Sequence, residues 1–105
     1  MIQADFTRKQ GTFHSFCLSG HAGYADWGED IVCAAVTSAT QLTANALTEV
    51  FCIPAKVTVL ENKIQLVLPG NSGPEAGKLL QALWLHLTVL AEDYPGTIQV
   101  NVSEV

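Results

Sequence analysis

Apolar and polar residues alternate along five short stretches of the chain, a pattern typical of β-strands with one buried face. These stretches read MIQADFTR, TFHSFCLS, AKVTVLE, IQLVLP and TIQVNVSEV. Turn signals lie between the first two stretches, at Lys9-Gln10-Gly11, and between the next two, at Asn62-Lys63. The sequence therefore predicts two β-hairpins followed by a separate fifth strand.

A first helix is predicted between the two hairpins. Asp30 occupies the position of a helix N-cap, and the helix is expected to continue to about Phe51, before Pro54. Apolar residues recur at helical spacing and define a predicted core-facing side: Ile31, Ala35, Leu42 and Ala46. Threonine is frequent in this segment and lowers its helix propensity, so packing against the rest of the molecule must stabilise the helix.

A second helix is predicted from about Glu75 to Asp93, where Tyr94-Pro95-Gly96 ends it. Ser72 and Glu75 have the spacing of a capping box. Leucines at helical spacing form the main apolar side of this helix: Leu79, Leu80, Leu83, Leu87 and Leu90. Further apolar residues lie outside that side: Trp84, Leu85 and Val89. We expect such a helix either to be deeply buried or to contact another subunit.

The predicted element order is β-β-α-β-β-α-β. Two helices packed on one face of a mostly antiparallel sheet bury the apolar sides of all these elements, which defines a two-layer α+β fold. The chain has 105 residues, so we expect one domain, spanning residues 1–105. Apolar residues make up 49% of the chain and charged residues 14%, a composition that supplies a core and argues against disorder.

Charge, hydropathy and cysteine usage exclude several classes of function. The net charge is −5, and the five basic residues do not cluster beyond Arg8-Lys9, so direct nucleic-acid binding is not expected. No apolar stretch approaches the roughly 20 residues of a membrane span, and the start of the chain lacks the basic and apolar regions of a secretion signal. Cys17, Cys33 and Cys52 are an odd set without a CxxC pair, which favours reduced thiols. These features together predict a cytoplasmic protein that does not bind membranes.

The stretch GHAGYADWGEDIVCAAVTSA, residues 20–39, concentrates the candidate chemistry and places His21 twelve residues before Cys33. If the helix begins after Asp30, Cys33 lies in its first turn, where unpaired backbone N–H groups and the helix dipole favour a thiolate. Cys33 is also expected to project away from the predicted core-facing side. Both features favour a reactive cysteine over a buried structural one.

His21 follows the second predicted strand and could act as the general base for Cys33, a common way in which cysteine nucleophiles are activated. A histidine held in a turn by a backbone hydrogen bond is an equally good interpretation of the spacing alone. Asp30 either caps the helix or orients the His21 ring as a third member of the site. Gly23 and Gly28 are candidate hinges of a loop that closes over a substrate, or ordinary turn residues.

A metal site is the main chemical alternative. Four neighbouring side chains carry possible ligand atoms: His21, Glu29, Asp30 and Cys33. Structural zinc prefers four Cys or His ligands in close pairs, and the chain offers no such pair. No glycine loop of the Walker or dinucleotide-binding type occurs either. We therefore expect neither a metal nor an organic cofactor.

The motif SGHAGYADWGEDIVCAAVT resembles the signature of the bacterial ribosomal-processing cysteine proteases, the Prp family. That signature combines a Gly-His-Ala start, here at Gly20, with a glycine-bearing loop and with Asp-Ile-Val-Cys-Ala entering a helix. The resemblance extends over the whole chain, in its length and in the hairpins and helix around the motif. It implies that Cys33 is the nucleophile and His21 the general base.

The same resemblance implies a substrate. Members of the family remove a short N-terminal extension from a large-subunit ribosomal protein, the twenty-seventh in the standard naming, by cutting after an aromatic residue. They are homodimers, and their glycine loop moves when peptide binds. Where the family often has a serine near the substrate, four residues after the cysteine, this chain has Thr37, which keeps the hydroxyl and adds a methyl group.

Two other functions are compatible with the residues. The chain could be a non-catalytic dimeric module that binds a ribosomal protein through the motif, or it could be a metal-dependent hydrolase. Cleavage of an extended ribosomal protein distinguishes a protease from a binding module. Metal content and sensitivity to chelators test the hydrolase.

Overall fold

The computed structural model of the protein describes residues 1–20 and 27–105, with side chains for all of these except residues 27–30. The strands are β1 (Ile2–Lys9), β2 (Thr12–Ser19), β3 (Lys56–Leu60), β4 (Lys63–Val67) and β5 (Ile98–Glu104). The helices are α1 (Trp27–Asn45), which continues directly into a π-helical segment (Ala46–Val50), and α2 (Pro74–Asp93). The element order is the predicted one. Strands β2, β3 and β5 lie within their predicted stretches, whereas β1 ends one residue after its stretch, at Lys9, and β4 begins one residue before its stretch, at Lys63.

The described strands form one sheet in the order β3-β4-β2-β1-β5. Each hairpin supplies an antiparallel pair, β2 and β4 are also antiparallel, and β1 and β5 run parallel. The parallel pair aligns Ile2 with Ile98, so it joins segments that are far apart in the sequence. The predicted α+β class, with a mostly antiparallel sheet, is confirmed.

One face of the sheet carries the hydrophobic core. In β1 the side chains of Ile2, Ala4 and Phe6 are buried, and the same core contains buried residues from both helices. The intervening residues of β1 lie on the opposite face, where the Asn101 amide donates a hydrogen bond to the carboxylate of Asp5 at 2.9 Å. Both helices therefore pack on the apolar face, and the other face is polar, as the alternation along a strand requires.

Helix α1 begins at Trp27, so the prediction that Asp30 is its N-cap is wrong. Acidic residue types are favoured throughout the first turn of a helix as well as at the cap, and the sequence does not distinguish the two starting points. Asp30 belongs to the first turn, and Gly28, a candidate loop hinge or turn residue in the sequence, lies in that same helical turn. Cys33 consequently lies in the second turn of α1 and not in the first.

The side of α1 that faces the core also differs from the prediction. Val32 and Val36 are buried, whereas Ile31 is 45% and Leu42 is 72% exposed. Because α1 has apolar residues on two sides, spacing alone did not show which side meets the sheet. Cys33 packs against the core residues, so it borders the buried side and does not project away from it.

Helix α2 matches its predicted range to within one residue, but its cap differs. The N-cap is Gly73, at a φ of 85°, so Ser72 and Glu75 do not occupy the two positions of the predicted capping box. Pro74 follows as the first helical residue, where its missing N–H removes no helical hydrogen bond.

The apolar surface of α2 divides as its pattern predicted, except that Trp84, predicted outside the main apolar side, packs half-buried against the core. Leu80, Leu83 and Leu87 are buried in the core, whereas Leu85 and Val89 are exposed. Part of this helix is therefore open to a further contact. Within residues 1–20 and 27–105, no helix has the length and hydropathy that a membrane crossing needs.

Candidate active site

A cleft of about 360 Å³ lies between α1 and the sheet, and Cys33 lines it. One wall is the side of α1 that carries Cys33, Val36 and Thr40. The opposite wall comes from the sheet and includes Leu18 and Ile64. Most of this lining is apolar, so the cleft suits an apolar side chain of a ligand.

The helical wall presents Cys33 beside apolar surface. Cys33 is half-buried, and Val36, almost one turn later, is buried. The buried Thr40 hydroxyl donates a hydrogen bond to the carbonyl oxygen of Val36 at 2.7 Å. Because this bond satisfies the hydroxyl within the helix, Thr40 contributes little polarity to the cleft. Thr37 is exposed and also lines the cleft, so its side chain is accessible there.

The sheet wall becomes progressively more exposed toward the edge strand β3. Leu18 of β2 pairs with Ile64 of β4, which in turn pairs with Val59 of β3, so the three residues form a row across one face. Leu18 is buried, Ile64 is half-buried and Val59 is 71% exposed. The apolar face of the sheet is therefore covered at β2 and open at β3.

Gly20 anchors the backbone at one end of the cleft. Its N–H donates a hydrogen bond to the carbonyl oxygen of Asn62 at 3.0 Å, in the turn between β3 and β4. Its φ is +75°, and a Cβ atom at this position would lie 2.8 Å from the carbonyl oxygen of Met1. Only glycine meets both conditions without strain. The chain is therefore held in place at the residue immediately before His21 in the sequence.

Three of the site residues predicted from the sequence, Gly20, Cys33 and Thr37, line this one cleft. His21 and Gly23 lie outside the described residues. Asp30 is placed by its backbone alone, in the first turn of α1, three residues before Cys33. The pairing of Cys33 with a histidine thus stays a prediction.

The hairpin of β3 and β4 is the part of the site that sequence reasoning missed. This hairpin supplies Val59, Asn62 and Ile64 to the cleft, about thirty residues after Cys33 in the chain. Its turn lies at Glu61 and Asn62, one residue earlier than predicted, with Asn62 at a φ of 63°. No local signal marks these residues as functional, because their role comes from the pairing of β4 with β2.

The remaining cysteines occupy different surroundings. Cys17 is half-buried in β2, where it pairs with Asp5 of β1, and Cys52 is exposed after the π-helical segment. The Cys52 thiol contacts the carbonyl oxygen of Glu49 at 3.7 Å. Neither residue lines the Cys33 cleft. No disulfide joins any two of the three cysteines.

No group of three or more His, Cys, Asp or Glu side chains comes together as a possible metal site in the described part of the chain. The alternative ligand set proposed from the sequence includes His21, which lies outside that part.

Comparisons with known proteins agree on one family. The profile of the family "Cysteine protease Prp" matches residues 1–99. The ribosomal processing cysteine protease Prp of Bacillus subtilis is 27% identical over 110 residues, with 98% of each chain covered. The Staphylococcus aureus protein of the same name is 25% identical over 104 residues, which cover 96% of this chain and 98% of that protein.

Solved structures share the fold over nearly the full length. A Streptococcus mutans crystal structure superposes with a TM-score of 0.89 at 30% identity, covering 100% of this chain and 99% of the other. The essential ribosomal processing protease Prp of Staphylococcus aureus, solved in complex with a substrate peptide, superposes with a TM-score of 0.88 at 23% identity. That match covers 97% of this chain and 99% of the other. With the family profile spanning residues 1–99, the chain belongs to the ribosomal-processing cysteine protease family Prp.

Proposed function

We propose that the protein is a cysteine endopeptidase that removes a short N-terminal extension from a bacterial large-subunit ribosomal protein, the twenty-seventh, by cutting after an aromatic residue. The observation that carries this proposal is the position of Cys33, half-buried in an apolar cleft, within a chain of the Prp family. A relative from Staphylococcus aureus has been solved with a covalently linked product peptide, which is the kind of species that a cysteine nucleophile forms.

The proposed mechanism uses a dyad of Cys33 and His21. His21 takes the thiol proton, and the Cys33 sulfur attacks the carbonyl carbon of the scissile peptide bond. The tetrahedral intermediate collapses to a thioester as His21 protonates the leaving amine. Water, deprotonated by His21, then attacks the thioester and releases the second product with a free Cys33 thiol.

The oxyanion in this mechanism is best placed near the first turn of α1. Cys33 lies in the second turn, where the N–H of a regular helix bonds to the carbonyl four residues earlier. The N–H groups of the first three helical residues, Trp27 to Glu29, have no acceptor within the helix, and their dipoles favour a developing negative charge. Asp30 belongs to this turn, and we retain it as a candidate to orient His21.

The cleft supports selection of an aromatic residue. Val36, Ile64 and Leu18 supply apolar walls, and burial of a large apolar side chain against such walls contributes about 1.5–3 kcal/mol. Thr37 is exposed in the same cleft, and we propose that its hydroxyl contacts the peptide main chain. Gly23 is proposed as a hinge of the loop that covers the bound peptide.

We further propose that the enzyme is a cytoplasmic homodimer that needs no cofactor. A groove of about 520 Å³ between α1 and α2 supports the dimer, with Leu42, Ala46, Leu79 and Leu83 in its lining. Leu42 is 72% exposed, a high value for a leucine that lines an apolar groove. A second copy of the chain would bury this surface.

Replacement of Cys33 by alanine is expected to abolish cleavage of the extended ribosomal protein, because the nucleophile is lost. Mass spectrometry of the protein substrate after incubation with wild-type or Cys33→Ala enzyme measures activity and the cleavage position together. Cys17→Ala is the matched control and should cleave like the wild type, since Cys17 lies outside the cleft.

Other outcomes of this experiment would favour the alternative functions. Unchanged cleavage by Cys33→Ala would contradict the proposal. A stable complex in reducing buffer, with every substrate molecule intact, would favour a binding module. Loss of wild-type cleavage on addition of a chelator, with metal present in the purified protein, would favour a metal-dependent hydrolase.

A further inference from the structure

The outer edge of β3 continues the open wall of the Cys33 cleft. Strand β3 lies at the edge of the sheet, and its residues Val59 and Leu60 line the cleft. Three of its five side chains are exposed apolar residues, namely Val57 at 39%, Val59 at 71% and Leu60 at 60%. An exposed apolar edge strand is a template for pairing with another extended chain.

The register of the hairpin shows which backbone groups face outward from this edge. Leu60 and Lys63 flank the two-residue turn and therefore form a hydrogen-bonded pair. Such pairs alternate along an antiparallel ladder, so the N–H and C=O groups of Val57 and Val59 point away from β4. Within the described residues, neither valine makes a backbone hydrogen bond on that outer side.

The side chains of the same two valines lie on the face of the sheet that carries the core. Val57 pairs with Leu66 and Val59 with Ile64, and Leu66 is fully buried. A strand added beside β3 would therefore extend this apolar face by one strand. Its side chains on that face would lie next to Val59, in the wall of the cleft that Cys33 lines.

The position of the β3 edge beside the Cys33 cleft favours an extended peptide as its binding partner. The opposite edge of the sheet, β5, contributes no residue to the described cleft. A second copy of the chain paired through β3 would lie against Val59 and Leu60, and so would cover one wall of the cleft. An extended peptide in the same place would instead bring its own backbone alongside the site of chemistry.

We propose that the substrate peptide binds as an added β-strand on the outer edge of β3, with main-chain hydrogen bonds to Val57 and Val59. Alternate side chains of the peptide then enter the Cys33 cleft, and the intervening ones stay outside. This inference rests on the proposed protease function. It predicts that recognition depends on the peptide backbone as well as on the aromatic side chain.

Backbone methylation of the peptide tests the proposal without changing the enzyme's fold. The probe is a synthetic peptide of the ribosomal protein's N-terminal extension, N-methylated at one residue at a time. Binding to Cys33→Ala protein is measured by fluorescence anisotropy, so that no cleavage occurs. Methylation at every second residue should weaken binding about tenfold or more, with little effect at the residues between, because only alternate N–H groups face β3.

A proline substitution tests the same edge from the protein side. Val59→Pro removes an N–H that points outward and leaves the bonds between β3 and β4 in place, and edge strands tolerate proline at such positions. Val102→Pro is the matched control. The Thr97 carbonyl accepts from the Ile2 N–H, and the Val105 N–H donates to the Arg8 carbonyl, so the odd-numbered residues of this segment bond to β1. The N–H of Val102 therefore points outward from β5. Val59→Pro should weaken peptide binding about tenfold, whereas Val102→Pro should not.

The outcomes separate this inference from the protease function. Added-strand binding would be overturned if methylation effects lacked a period of two and Val59→Pro bound the peptide normally. If the wild type still cleaved the unmodified peptide, the proposed protease function would be retained. A changed sedimentation coefficient of Val59→Pro with unchanged peptide binding would assign the edge to a second copy and also overturn the inference. Absence of both binding and cleavage would contradict both proposals.

Discussion

Gly20 combines two constraints that are separable by experiment. Its backbone has a φ of +75°, in the left-handed region, and its missing side chain leaves room for the carbonyl oxygen of Met1. Gly11 has a similar φ of +78°, but no atom lies within 4 Å of the position of its Cβ. The two glycines therefore differ in their neighbours but share a backbone conformation that would strain any other residue.

We expect Gly20→Ala to lower the free energy of unfolding by about 2–4 kcal/mol, as strain and the clash with Met1 add. Gly11→Ala should lower it by only about 1 kcal/mol, because strain alone applies. Urea denaturation of both variants measures the difference. Equal losses of unfolding free energy in the two variants would show that the backbone near Met1 moves away from the added methyl group at no cost in stability.

A second consequence of Gly20→Ala concerns activity. The residue bonds to the turn at Asn62 and immediately precedes His21 in the chain, so a shift here would move both sides of the cleft. At temperatures where the variant is still folded, its kcat for peptide cleavage should fall more than that of Gly11→Ala.

The helices differ in how well their sequences predict their packing. The range of α2 and its buried leucines follow from spacing, because one side of that helix is more apolar than the others. In α1, the predicted core-facing side and the observed one are both apolar, so the spacing of apolar residues does not show which side is buried. Packing against the sheet determines which side is buried: Val32 and Val36 are buried, and Leu42 stays exposed.

The candidate site also has a part that the sequence predicts and a part that it does not. The motif identifies Cys33 and Gly20 because their neighbours in the chain are distinctive. The residues opposite Cys33, such as Ile64 and Val59, belong to an ordinary hairpin and reach the cleft through strand order alone. The local sequence does not indicate that strand order, so the part of the cleft that this hairpin forms could not be predicted.

Close packing between α2 and β2 gives a test at the scale of these elements. Gly77 is buried in α2, and a Cβ atom there would lie 2.6 Å from Cγ2 of Thr12 and 3.0 Å from the carbonyl oxygen of Phe13. Alanine raises helix propensity by about 1 kcal/mol, but overpacking of this kind lowers stability by about 1–3 kcal/mol. We expect Gly77→Ala to lower the free energy of unfolding by up to about 2 kcal/mol in net terms.

The double variant Gly77→Ala with Thr12→Ser identifies the contact responsible. Serine lacks Cγ2, so the nearest clash disappears, and the double variant should be more stable than Gly77→Ala alone. Thermal or urea unfolding of the two single variants and the double variant completes the cycle. Strictly additive effects would mean that Thr12 is not the residue that resists the added methyl group.

At the scale of the whole molecule, the helical layer has an apolar outer surface that the core does not use. Leu42 and Leu85 are exposed at 72% and 56%, on α1 and α2 respectively. The groove between these helices has a volume of about 520 Å³. In the proposed homodimer, this surface is the subunit contact.

Leu42→Glu should therefore shift the protein from dimer to monomer in sedimentation velocity, because a carboxylate would be buried in the contact. The stability of the isolated chain should change by less than about 0.5 kcal/mol, since the residue is exposed there. Val105→Glu, at a residue that is 69% exposed and directly follows β5, is the control and should leave the assembly unchanged. A wild-type protein that sediments as a monomer at all concentrations would exclude this contact.

The parallel pairing of β1 with β5 has a consequence for the order of folding. Each pair in this ladder joins residues 96 positions apart, as with Ile2 and Ile98. Closing a loop of this length has an entropic cost of about 4 kcal/mol, before any contact compensates for it. On the ribosome, the edge of β1 has no partner until residues 98–104 have emerged from the exit tunnel. We expect a nascent chain arrested before that point to remain protease-sensitive in β1, and full protection to arrive in a single late step.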